Sequence, residues 1–184
     1  MGSVYQFDPA TGEVLRRAGW EIVDAPPGLT LAALRAAGAP FKGTRYFDRH
    51  AAATREPPVV GGAVAYRQGL LPATIGRTYT EAERLVASLG AQLPGGVLAV
   101  IGPAALYVWL LMEHHRRRGE WLLRGAYTWA ADIVDLAGGG EVHLAVGVFG
   151  EQRPLVVTPV PEGFGAGIGA MPLVLPAALG PSRT

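Results

Sequence analysis

The stretch that decides the fold is Ala91-Gln92-Leu93-Pro94-Gly95-Gly96-Val97-Leu98-Ala99-Val100-Ile101-Gly102-Pro103-Ala104-Ala105-Leu106-Tyr107-Val108-Trp109-Leu110-Leu111-Met112. It holds no charged residue, and Glu113-His114-His115-Arg116-Arg117-Arg118 follows at once. Length and a basic flank both suit a membrane-spanning helix. Glycine and proline argue against one. Pro94-Gly95-Gly96 opens the run and Gly102-Pro103 divides it. Val97 to Ile101 then reads as a short buried strand. Pro103 suits the start of a helix, where its missing N–H is no loss. From Ala104 to Met112 an uninterrupted helix covers about 14 Å at 1.5 Å per residue, well short of a roughly 30 Å hydrocarbon core. This predicts a soluble strand–helix unit without a membrane span. The helix is apolar nearly all round, so it belongs at the centre of the core, over about 103–118. Its basic last turn complements the helix dipole, and Gly119 ends it.

Moving outward toward the C-terminus, Glu120 to Leu136 reads as partly helical, although Gly125 and Tyr127-Thr128-Trp129 oppose that. Gly138-Gly139-Gly140 marks a loop. Val142, Leu144, Val146 and Val148 alternate strictly, the pattern of a half-buried strand. Leu155 to Val160 is another, which Pro154, Pro159 and Pro161 push toward an edge. Met171 to Leu175 reads as a last short strand, and 177–184 as a disordered tail.

Toward the N-terminus, Thr78 or Thr80 caps a helix whose apolar face is Leu85, Val86 and Leu89, with Gly90 as its stop. Val59 to Tyr66 reads as a strand in which Gly61-Gly62 marks a bulge or a close backbone approach. Residues 39–58 lack clear periodicity and read as a long surface loop. Thr30 caps a short helix, Leu31 to Ala37, which Gly38 ends. Asp8-Pro9-Ala10-Thr11-Gly12 is turn chemistry, so residues 1–24 read as a β-hairpin region with a third strand near Trp20 to Val23. Strands at both ends around a helical middle predict one α+β domain over 1–184. Its sheet is mainly antiparallel, with the central helix and two or three others.

Composition removes many functions. The chain has 184 residues, enough for a sizeable core, and 49% of them are apolar against 17% charged, the reverse of a disordered composition. A net charge of +1 leaves no global field to draw in nucleic acid or an anionic surface. Lys42 is the sole lysine, and Gly43 interrupts any Walker triplet with Thr44. There is no cysteine, so disulfides, thiolate nucleophiles and thiolate metal sites are excluded, which fits a cytoplasmic location. The first residues lack the basic start and apolar run of a signal peptide.

The densest cluster of chemistry is Glu113, His114, His115, Arg116, Arg117, Arg118, Glu120, Trp121 and Arg124. Arginines beside Trp121, Tyr127 and Trp129 could hold phosphate and stack bases. Successive helical residues fan out by about 100°, however, so three arginines cannot face one ligand. The commoner use of such a run is a solvated helix end, with Glu113 pairing to Arg116 or Arg117. The adjacent His114 and His115 diverge too, and lack the i, i+3 or i, i+4 spacing of a helical zinc pair; His50 and Asp48 could join His114 or His143 only through folding. No metal or cofactor is expected.

Gly163, Gly165, Gly167 and Gly169 form a candidate flexible loop. Its formal G-x-G-x-x-A match at Gly165, Gly167 and Ala170 lacks the following helix and acidic residue of a dinucleotide site. Ser3, Ser88 and Ser182 occupy no nucleophile elbow. Asp132 and Asp135 would share a helix face, where two exposed carboxylates are the ordinary case. No catalytic residue can be assigned. The expectation is a non-enzymatic interaction or assembly protein that self-associates or binds a protein partner. One alternative is a nucleic-acid-binding module using the arginine-rich end at 116–124. Another is a small-molecule enzyme with a His/Glu site near 113–115 that the glycine loop closes.

Overall fold

The computed structural model describes residues 5–42, 54–55, 61–135, 140–149, 155–161 and 167–177. Four α-helices are described: α1 (Pro9–Arg17), α2 (Leu31–Ala36), α3 (Tyr79–Gly90) and α4 (Ala104–Arg118). The strands are β1 (Glu21–Ala25), β2 (Phe41–Lys42), β3 (Thr54–Arg55), β4 (Gly62–Tyr66), β5 (Val97–Val100), β6 (Tyr127–Asp135), β7 (Glu141–Val148), β8 (Leu155–Val160), β9 (Ile168–Gly169) and β10 (Leu173–Pro176). The fold is α+β, and antiparallel pairing dominates both of its sheets.

Helix α4 is the axis of the core, as its uncharged composition predicts. Pro103 stands at its N-cap, and Gly119 closes it in the left-handed conformation at φ 76°. Ala104 to Val108, Leu110 and Leu111 are all buried, with Trp109 and Met112 packed against the same core. The helix packs on β6, β7 and α2. No described helix is long and apolar enough to cross a membrane.

One sheet has the order β1-β4-β10-β5, antiparallel throughout. The other has the order β2-β8-β7-β6-β3, with β9 joined to β6 in parallel. Val142, Leu144, Val146 and Val148 of β7 are all buried, as the alternation predicts. Strand β8 lies one place in from the edge, flanked by only two residues of β2. Gly62, at φ 141°, sits where any Cβ would strike the backbone of Tyr5, so the expected close approach is real. Thr78 caps α3 with a reciprocal capping box to Glu81, and Thr30 caps α2 by accepting from the N–H of Ala33.

Several expectations are corrected. Residues 1–24 hold no hairpin among those described. Pro9–Arg17 is helical because Asp8 accepts from the N–H of Thr11 and Pro9 fills the first turn, so the turn chemistry serves as an N-cap. The expected helix over Glu120 to Leu136 is not found in its described part, 120–135: Tyr127–Asp135 is a long strand between β7 and β3. The segment 39–58 contributes two short strands, β2 and β3, at opposite edges of one sheet. Val97–Val100 is an edge strand and not a fully buried one, with Leu98 53% exposed. Gly169 is a strand residue whose Cβ would press on Thr74, Leu70 and Ile75 at 3.1–3.3 Å, so it serves close packing. Gly167 is a turn residue at φ 88°, whereas Gly163, Gly165 and the tail from 178 lie outside the described residues.

Candidate functional site

The basic end of α4 is satisfied by the protein's own carboxylates. Glu113 accepts from Nε and Nη2 of Arg116 at 2.8 and 2.7 Å, and from Nε of Arg117 at 2.6 Å. These two guanidinium groups hold its carboxyl far down, at about 2. Arg118 reaches across the fold to Glu21 of β1, at 3.6 Å. Arg116 and Arg117 thus converge on one carboxylate while Arg118 turns to another, so the three do not face one partner. Glu120 and Arg124 are exposed nearby.

The two histidines also part. His115 stacks on Trp121 with ring centroids 4.1 Å apart and planes within 6°. His114 points into the core and is 2% exposed. Its Nδ1 lies 3.1 Å from the hydroxyl of Tyr66, and that hydroxyl donates to Glu21 at 3.1 Å. A phenol has one proton, so the Nδ1–H of His114 donates to Tyr66. Burial holds the imidazole pKa down against the pull of Glu21 and Glu120, with Arg118 and His115 acting alongside burial. This is a hydrogen-bonded chain from α4 through β4 to β1. Gly165 and Gly163, needed to close the enzymatic alternative, lie outside the described residues, as do Asp48 and His50. Among the described residues no group of three or more His, Asp or Glu converges where it could hold a metal ion.

Asp132 is fully buried, a correction to the exposed aspartate pair read from its spacing to Asp135. Its Oδ2 accepts from the N–H of Ala104 at 2.5 Å, at the first residue of α4. Pro103 offers no side-chain cap, so β6 supplies the negative group that this helix start requires. Beside it, the hydroxyl of Tyr107 donates to the carbonyl of Met171 at 2.7 Å and accepts from the N–H of Gly102. Thr128 accepts from the N–H of Met171 and Thr74 from that of Ala170, both at 2.8 Å. These groups fasten the link between the two sheets.

Among the described residues two concave surfaces are notable, and neither stands out in the sequence. One is an apolar hollow of about 180 Å³ at the corner of the four-stranded sheet. Tyr5, Gly61, Gly62, Ala63, Leu98, Leu175 and Pro176 line it, none of them charged. Leu98 and Leu175 are register partners on neighbouring strands, and Tyr5 is 39% exposed. The second is a cleft of about 190 Å³ lined by Tyr79, Trp129, Ile133, Glu141, Val142, His143 and Val160. Alternation in β7 puts Glu141 and His143 on one face, the only trace of this cleft in the sequence. No family model, curated protein or solved structure was found that matches this chain.

Proposed function

We propose that the protein is a non-enzymatic interaction protein that self-associates through the apolar corner around Leu98. One observation carries this reading: an exposed leucine stands beside a wholly uncharged hollow of about 180 Å³. Natural sheet edges are usually guarded by charge, proline or brevity. β1 carries Glu21 and Asp24, while β2 and β3 are two residues each. β5 reads Val-Leu-Ala-Val, and among the described residues it pairs with β10 alone. Pro176 borders the hollow on β10, the strand beside it.

A second copy suits this corner better than a charged peptide or nucleic acid, since its lining offers no charge to either. Knob and hollow adjoin, so a two-fold axis brings each Leu98 toward the other copy's hollow. A cytoplasmic location accords with the lack of cysteine. The nucleic-acid alternative weakens, because Arg116, Arg117 and Arg118 already face carboxylates.

Size-exclusion chromatography with light scattering tests the proposal. The wild type should show a mass that rises toward a dimer with concentration, and Leu98→Arg should stay monomeric with an unchanged melting temperature. A wild type that remains monomeric at millimolar concentration overturns the reading.

A further inference from the structure

The end of α4 is held to the fold by one buried side chain, and that side chain titrates. Between Met112 and Trp121, His114 alone is buried; Glu113 and His115 are half-buried and 116–120 are exposed. Among the described residues, two polar contacts tie this stretch to the sheet. His114 meets Tyr66 of β4, and Arg118 reaches Glu21 of β1 at 3.6 Å. The second is a largely exposed ion pair and contributes little. The stack of His115 on Trp121 joins the turn to the loop that follows it.

His114 fits its place only as a neutral ring. Its Nδ1–H donates to Tyr66, whose own proton goes to Glu21. Its Nε2 is sealed from solvent, and no group among the described residues pairs with it. An added proton must sit on Nε2, as a buried N–H without an acceptor and a buried charge without a direct partner. The surrounding charges do not offset this. Burial, the largest influence, keeps the ring neutral with help from Arg118 and His115, against Glu21 and Glu120. Glu21 is already engaged by Tyr66 and Gln68, and Glu113 by Arg116 and Arg117. Of the other elements packed on α4, β6 places Asp132 at its far end, against Ala104, β7 turns His143 onto Tyr79, and Arg35 of α2 is exposed.

We propose that His114 is a proton-sensitive latch: taking up a proton frees 113–120 from β4 and β1 while the rest of the fold stays closed. The freed ring reaches water and holds its proton at about the ordinary 6.5. Buried Ala104 to Leu111 keep the body of α4 in place. Opening a short, exposed helix end costs less than unfolding the core, so it comes first as pH falls. Tyr66 stands at the opposite end of β4 from Gly62, so the latch does not depend on the Leu98 corner.

Hydrogen exchange of the full chain, read by mass spectrometry as protection factors from pH 7.5 to 5, tests this. Protection of 113–120 should fall by up to about thirtyfold, the most that one proton with an open-state pKa near 6.5 can produce over that range, while protection of α3 holds. His114→Gln, whose amide can still donate to Tyr66 and does not titrate, should show no fall. His115→Gln should keep the wild-type fall. Should His114→Gln fail to fold, the wild type and His115→Gln still decide. Constant protection of 113–120 in the wild type, a fall shared equally by α3, an equal fall in folded His114→Gln, or its loss in His115→Gln would overturn the proposal.

Discussion

The two ends of α4 solve the same electrostatic problem in opposite ways. At its start the helix has no cap of its own, and one fully buried carboxylate, Asp132, is brought from β6 to Ala104. At its finish the helix carries a crowd of cations, and they are neutralised at the surface by Glu113 one turn back and by Glu21 on β1. The start is conspicuous in three dimensions and invisible in the sequence. The finish is conspicuous in the sequence and ordinary in three dimensions. Charge density along a chain therefore marks a site only after its partners are counted.

The sharpest way to break this contrast is at the buried end. Asp132→Ala should cost about 3 kcal/mol in chemical denaturation, the scale for removing one partner from a buried charged contact. Asp132→Asn, which can still accept from Ala104, should recover part of that. A loss under about 0.5 kcal/mol, the usual reach of surface substitutions, would mean the carboxylate does not hold the helix start.

The second prediction concerns His114, where the basic end touches the core. Its pKa is lowered from 6.5 by burial, so the unfolded chain takes up the proton first as pH falls. Stability from the neutral imidazole is thus complete above about pH 6.5 and declines below it, toward the lower folded value. Denaturation between pH 7.5 and 5 should show that decline in the wild type and a flatter profile in His114→Gln. Identical slopes would remove His114 as the cause.

Effects at the surface should be smaller. Glu113→Gln should cost about 0.5 kcal/mol at neutral pH, as expected of a largely surface ion pair. Its wild-type carboxyl lies at about 2 against an ordinary 4.5, so its contribution is present above pH 4.5 and fades as pH falls toward 2. The acid limb of the stability profile should therefore shrink in the variant. Smallest of all, Arg117→Ala with Arg118→Ala should leave retention on single-stranded RNA or DNA unchanged at low salt. A clear loss of retention would restore the nucleic-acid reading of this surface.

The legible parts of this fold are those where local composition decides. An uncharged run divided by Gly102-Pro103 reads better as a strand turning into a central helix than as a membrane span. Thr30 and the pair Thr78 and Thr80 mark helix starts, with Thr78 the actual cap of that pair. Asp8-Pro9-Ala10-Thr11-Gly12 misled because the same residues make a turn or an N-cap, and only the apolar contact of Leu15 with Trp20, Ala65 and Val174 selects the helix. Tyr127 to Asp135 misled because β7 supplies its strand partner, and that pairing lies outside the segment itself. The site was less legible still. His114 meets Tyr66 across 48 positions, and Asp132 meets Ala104 across 28. The aromatic cleft joins α3 to three strands, and Leu98 stands exposed on the edge strand β5. Apart from the alternation of β7 at the cleft, none of these contacts has a periodicity to betray it.

The proposed function puts self-association at the uncharged corner of β5 and not at the cations of α4. Sedimentation velocity of the wild type, Leu98→Arg and an Arg116→Ala/Arg117→Ala/Arg118→Ala variant, each at low and high salt, tests that claim most directly. The account predicts concentration-dependent association in the wild type and the arginine variant that survives high salt, as apolar contact does, and a monomer for Leu98→Arg. Association that persists in Leu98→Arg but is lost on removing the arginines or raising the salt would contradict it.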